Sequence, residues 1–352
     1  MTLAAAPGAI DWGVARRRAA ALTPPGPAVD RREASALVAS LRRSARRAPA
    51  IVGKVTGLHE AAEHAAALPT YVVDRARWAS ANVSIFADLL GDEIPQAGGA
   101  VSARLSGEEL GVMLSLLASR VLGQFDPFAS GPDGDARLLV VAPNVLHVQR
   151  QLRVDPADFH LWVCLHEQTH AVQFSAAPWL PDHLRADMTA LTTSMSATGE
   201  PARRARSLLE AIPRTLAGGP VDATSGGPLM TAVLTESERA HLERILAVMS
   251  LLEGHADVVM DEAGPAVVPS VARIRRAFEA RRDGRGVLDI LLRRLLGMDA
   301  KLAQYRQGAA FVRGVTEAVG HEGLNAVWTG PDQLPLAAEI TDPAAWVRRV
   351  HG

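Results

Sequence analysis

Apolar residues recur at three- and four-residue spacing through residues 31–47, 58–67, 78–90 and 107–122, which predicts a succession of amphipathic helices. The pattern breaks at 131–135, GPDGD, a turn sequence. The run RLLVVA at 137–142 follows as the clearest strand in the chain. Asp155 then offers an N-cap, Pro156 suits the first helical position, and Asp158 adds a carboxylate to the first turn. From Phe159 onward this helix is apolar nearly all round, with Leu161, Trp162, Val163, Cys164, Leu165, Ala171, Val172 and Phe174, so it is predicted to be buried. Further on, Thr235 and Glu238 form a T-x-x-E capping box. Leu242, Ile245, Leu246, Met249, Leu252, Ala256 and Val259 keep helical spacing until Gly264 and Pro265 end the helix. Between these two helices GGPVDATSGGP at 218–228 reads as a flexible loop. The fold class expected is mainly α with a small β element. Residues 1–60 are expected as an N-terminal helical accessory layer and 61–352 as the main domain, or 1–352 as one continuous domain, since no change in composition forces a boundary.

Inside the all-apolar helix sits LWVCLHEQTH at 161–170, and His166, Glu167 and His170 spell H-E-x-x-H. Four residues apart on a helix, the two histidines share a face one turn apart, where both imidazoles can reach one Zn²⁺. Glu167 follows the first ligand, beside the position a coordinated water would fill, and is placed to take its proton as general base. Burying two imidazoles and a carboxylate without partners would cost several kcal/mol. The alternative to a metal is a hydrogen-bonded core cluster. A tetrahedral site needs a third protein ligand and keeps the fourth position for water. In LLEGHADVVM at 251–260, Glu253 and Asp257 share a helix face among Leu, Val and Met, whereas His255 points roughly the opposite way. Glu253 is therefore the expected ligand, and Asp257 the acceptor that orients a ligand histidine. An exposed acidic stripe on an amphipathic helix is the plainer account of the same two residues.

H-E-x-x-H followed by a helix bearing E-x-x-x-D resembles the arrangement of gluzincin metallopeptidases, in which that Glu is the third zinc ligand. More closely, the chain resembles the actinobacterial zincin-like metallopeptidase type 2 family, long described as a domain of unknown function and in part labelled as hydrolases associated with deazaflavin-cofactor biosynthesis. The stretches that carry the resemblance are IDWGVA at 10–15, LGQFDPF at 122–128, VAPNV at 141–145, HEQTHAVQF, LEGHADVVMD, KLAQYRQGAAFV at 301–312 and VWTGPDQLP at 327–335, spread over nearly the whole length. The resemblance implies a zinc-dependent hydrolase with one Zn²⁺ per chain held by His166, His170 and Glu253. It implies no further cofactor-binding residues, and the deazaflavin label is not read as binding. In zincins an edge strand above the metal pairs with extended substrate, which makes 137–142 the strand to examine; a short core strand is the alternative. Zinc proteases also stabilise the oxyanion with Tyr, His or Arg. Of the two tyrosines, Tyr71 and Tyr305, the second lies in a family-like segment and is the candidate, with a half-buried packing tyrosine as the alternative.

Composition narrows the partners. A formal net charge of -1 draws the chain neither to nucleic acid nor to anionic lipid. Only Lys54 and Lys301 are lysines among 37 basic residues, an arginine excess that fits a GC-rich genome better than a phosphate-binding design. The single Cys164 cannot form an internal disulfide, and it falls about 160° round the helix from His166, so it is expected as a small core residue. No run reaches the roughly 18 apolar residues of a spanning helix. After Arg16, Arg17 and Arg18 the sequence AAALTPPGP is broken by proline too early for a signal peptide, so a cytoplasmic protein is expected. There is no G-x-S-x-G elbow, P-loop or G-x-G-x-x-G fingerprint. His241, His321 and His351 are expected at the surface. The function expected is a peptidase acting through a zinc-activated water, with a small-molecule amide hydrolase or a non-catalytic metal-containing scaffold as alternatives.

Overall fold

A computed structural model of the chain describes residues 9–90, 99–129, 136–197, 234–282 and 298–352. The expected turn at 131–135 and loop at 218–228 lie outside these. In order come α1 Trp12–Leu22, α2 Arg31–Thr56, α3 His59–Ala67, β1 Thr70–Val73, α4 Arg75–Leu90, α5 Gly99–Leu117, β2 Gly123–Asp126, β3 Arg137–Val141 and α6 Ala142–Leu152. There follow α7 Pro156–Ala176, α8 Leu180–Ala197, α9 Glu236–Val267, α10 Val271–Arg282, α11 Met298–Leu324, three short 3-10 turns, and α12 Pro343–His351. The fold is mainly α with one small sheet, as the hydrophobic pattern predicts. Two units divide the chain: residues 1–52, 61–172 and 264–274 make the first, and 53–60, 173–263 and 275–352 the second.

In the first unit the strand order is β1-β3-β2, with β1 parallel and β2 antiparallel to β3. The strand singled out from sequence is therefore the middle strand, not an edge. Its run of Leu138, Leu139, Val140 and Val141, all buried, is what a strand covered on both faces requires. Pairing puts Tyr71, Val73, Gln124, Asp126, Arg137, Leu139 and Val141 on one face. There Leu139 and Val141 join a core with Ala15 and Ala19 of α1, Trp78, Ala79 and Val83 of α4, and Leu114 of α5. Asn82 of α4 and Gln124 of β2 exchange amide hydrogen bonds of 3.0 and 3.1 Å across it. Asn144, in the VAPNV stretch, is a structural keystone. Its amide donates to Ala118 O and Val121 O at 2.7 and 2.6 Å and accepts from Arg75 Nε at 2.6 Å, so one buried side chain satisfies the chain's exit from α5.

Helix α7 lies along α2. Ser40 Oγ is 2.8 Å from His160 Nδ1, the Cys164 thiol approaches Leu41 O at 3.7 Å, and Gln168 Nε2 donates to Ala45 O at 3.2 Å. The last bond repairs a defect. Pro49, inside α2, has no N–H for the carbonyl four residues back, which is that of Ala45, and the Gln168 amide supplies the missing donor.

In the second unit the capping box forms as expected: Thr235 N donates to Glu238 Oε2 at 2.8 Å and Glu238 N to Thr235 Oγ1 at 3.3 Å. Helix α9 runs on past Gly264, whose φ of 67° puts a kink where the sequence predicted an end, and closes one turn later. Helices α9 and α11 meet backbone to backbone at Gly254 and Gly308. A Cβ on Gly254 would lie 2.1 Å from Gly308 C. Asp187 of α8 accepts from Arg244 Nη2 at 2.7 Å and sits 2.9 Å from His241 Nδ1, both on α9.

Candidate metal centre

Asp155 caps α7 as expected, its carboxylate accepting from Asp158 N at 2.9 Å. Asp158 in turn accepts from Ser270 N at 2.7 Å, at the start of α10. From Phe159 to Leu165 every side chain is buried, and so are Glu167, Gln168, Thr169, Ala171, Val172 and Gln173. His166 and His170 are the two half-buried exceptions in that stretch. Cys164 is fully buried, and burial, reinforced by the charge of Glu167, pushes its thiol far above the ordinary range. It is a core residue, as expected, and carries no thiolate chemistry.

The imidazoles of His166 and His170 stand edge to face, with Nε2 atoms 3.3 Å apart. Two ligands on tetrahedral arms of about 2.0–2.1 Å are separated by about 3.3 Å, so this pair already has the spacing a zinc ion requires. One ligand atom each from His166, His170 and Glu253 all lie within 4.8 Å of one another, and all three residues are half-buried. Two nitrogens and one carboxylate oxygen are a borderline donor set that suits Zn²⁺ over Mg²⁺ or Ca²⁺. Gln173, one turn beyond His170, locks the neighbouring segment of α9. Its amide donates to Leu252 O at 2.9 Å and lies 2.9 Å from His255 Nδ1, on either side of Glu253.

Glu167 lies against the other face of the sheet. A Cβ at Gly123, the first residue of β2, would meet Glu167 Cγ, Cδ and Oε1 at 2.6, 2.7 and 2.8 Å. Only a glycine lets an edge strand approach this carboxylate so closely.

The model of the zincin-like metallopeptidase family matches residues 10–347. The chain belongs to that family. A protein of Chloroflexus aurantiacus, solved as a crystal structure and described as having a novel fold and only provisionally as a hydrolase, is 31% identical. The match covers 97% of this chain and 99% of that one, with a TM-score of 0.64. No curated protein matches. Membership implies a zinc-dependent hydrolase, and the His166, His170 and Glu253 group fits that metal.

In this zincin-like chain Asp257 does not do what was expected of it. Among the described residues its carboxylate pairs with Arg275 Nη1 at 2.5 Å, and its carbonyl accepts from Arg275 Nη2 at 2.8 Å; neither His166 nor His170 is its partner. Arg275 of α10, beyond the kink at Gly264 and the turn that follows it, pairs with both Asp257 and Asp261. Tyr305 is in α11, but its side chain lies outside the described residues. His255 is fully buried, 5.5 Å ring to ring from Trp328. Of the three histidines expected at the surface, His351 is exposed, while His241 and His321 are half-buried against Asp187 and against Glu262 at 2.6 Å. Sequence reading missed Gly123 and Gln173. A glycine opening an LGQFDPF stretch was the signal for the first. For the second, a glutamine in an apolar helix seven residues after His166, two turns on and on the same face, was the signal.

Among the described residues no helix is long and apolar enough to cross a membrane.

Proposed function

We propose that the chain is a zinc-dependent peptidase that cleaves amide bonds in extended peptide. Support comes chiefly from one observation: two imidazoles at tetrahedral spacing share a 4.8 Å cluster with Glu253, while the carboxylate of Glu167 sits beside them under the first residue of an edge strand. His166, His170 and Glu253 would hold the ion. Zinc bound there would acidify a coordinated water and polarise the scissile carbonyl. Glu167 takes the proton of the attacking water and delivers it to the departing nitrogen, a role its buried position suits because the carboxylate is screened from bulk solvent. Among the described residues strand β2 pairs with β3 and stands at the edge of the sheet, the position at which an extended substrate can add as a further strand. All three ligand residues are half-buried rather than fully buried, and a centre with three protein ligands that keeps its fourth position for water is a catalytic rather than a closed structural one.

Metal analysis together with cleavage of a peptide library tests this. Wild-type protein should carry one zinc per chain, lost in His166→Ala. Glu167→Gln should retain zinc and fold but lose activity by about 10²-fold or more, whereas Glu253→Gln should weaken zinc binding. Cleavage should stop with 1,10-phenanthroline. Zinc-free protein, or full activity in Glu167→Gln, overturns the reading; cleavage of small amides but no peptide would keep the centre and reassign the substrate.

A further inference from the structure

The face of the sheet opposite Glu167 borders a second feature, a half-open cavity of about 490 Å³ between β1, β3, α4 and α1. Arginines from three separate elements line it: Arg16 of α1, Arg77 of α4 and Arg137 of β3. Tyr71, Ser80 and Ser84 add hydroxyl-bearing side chains to the lining, and Val73, Ala81 and Leu139 add apolar ones. Arg16 Nη2 donates to Ser84 Oγ at 3.1 Å and has no carboxylate partner among the described residues. Nor does the side chain of Arg77. Arg137 gives its Nε to Asp126 Oδ2 at 3.0 Å, which leaves the two terminal nitrogens of its fork uncommitted among the described residues. Asp88 is the one carboxylate of the lining, and no arginine of the lining is paired with it.

Counting Asp126 and Asp88 against the three arginines leaves a single positive charge. Attraction for an anion here therefore rests on the number and direction of donors rather than on net charge. The lining carries guanidinium N–H and hydroxyl O–H groups from different elements, more donors than the two oxygens of a planar carboxylate can use. The three terminal oxygens of a phosphate monoester can accept from several sides at once.

We propose that this cavity binds the phosphate group of a small phosphorylated ligand, with Arg16, Arg77 and Arg137 as the guanidinium clamp and Ser80 and Ser84 as hydroxyl donors. The apolar side chains of the lining receive the organic part. The site is separate from the metal centre, because pairing in the sheet sets Gly123 and Glu167 on one face and Leu139 and Arg137 on the other.

Titration of the full chain with inorganic phosphate, followed by calorimetry and by phosphorus NMR at constant ionic strength, tests the assignment. One saturable site per chain is expected, weakened about tenfold or more by Arg77→Gln and by Ser84→Ala. Arg17→Gln, next to the cavity in sequence but not part of its lining, should bind as the wild type does. Because phosphate can also ligate zinc, the same titration on His166→Ala should give an unchanged site. Arg77 is exposed, so circular dichroism of Arg77→Gln should match the wild type. Absence of saturable binding, binding indifferent to Arg77→Gln, binding lost in His166→Ala, or acetate binding as tightly as phosphate would each overturn the proposal.

Discussion

Gly123 governs a single carboxylate. An alanine there would press on Cγ, Cδ and Oε1 of Glu167 from 2.6–2.8 Å, and the side chain, being flexible, would yield before the strand did. Gly123→Ala should therefore keep zinc and lose little stability, while kcat/KM falls by about tenfold or more because the proposed general base is displaced by a fraction of an ångström. Steady-state kinetics beside thermal melting checks this; a variant with normal kcat/KM would show that Glu167 is not seated by β2. His166, Glu167 and His170 were legible from sequence because spacing along one helix fixes their relative positions before any tertiary contact forms. Glu253 was legible as an acid in an apolar stretch. Gly123 was not, since its role is a contact between segments more than forty residues apart. Asp257 misled for the same reason: its partner Arg275 lies 18 residues further on, past a kink that reads from sequence as a helix end.

Between elements, the crossing of α9 and α11 sets the tightest tolerance. A Cβ at residue 254 would stand 2.1 and 2.4 Å from the carbonyl carbon and oxygen of Gly308 and 2.5 Å from Ala309 N, all backbone atoms that cannot rotate away. Gly254→Ala gains roughly 1 kcal/mol in helix propensity, yet forcing the helices apart costs about 3 kcal/mol. The net expectation is a lower melting temperature, together with weaker zinc binding because Glu253 is the preceding residue. A rise in melting temperature would show that the helices separate freely. The helices themselves were predictable from apolar spacing and caps, and the T-x-x-E box formed as read. Strand β3 was found by its hydrophobic run, but its central place was not, because the partner strands β1 and β2 are four residues each and too short to announce a period.

For the molecule as a whole, burial holds the His160 pKa down to about 4, an effect that nearby Asp155 only partly opposes. The unfolded chain takes up that proton near the ordinary histidine value of about 6.5. A group with a depressed folded pKa favours the unfolded state as pH drops. Stability from His160 is thus complete above about pH 6.5 and is lost progressively toward pH 4, by roughly 3 kcal/mol in all. Denaturant melts of wild type and His160→Gln across that range should converge as pH falls, with the wild type showing the steeper loss; parallel curves would refute it. Ser40 faces the same ring nitrogen that a glutamine amide can reach, so the variant keeps the contact and drops the titration.

Gln168, flanked by the proposed base and by Thr169, also ties two distant positions into one heritable unit. The amide is needed there only while residue 49 is a proline, because any other residue would return a backbone N–H to the carbonyl of Ala45. Gln168→Leu should be costly in the present chain and nearly neutral once Pro49→Ala is made, a non-additivity that a double-mutant cycle reads directly. Substitution at 49 would therefore have to come first for 168 to drift, and the order of mutational steps open to this helix is set by a missing hydrogen on another.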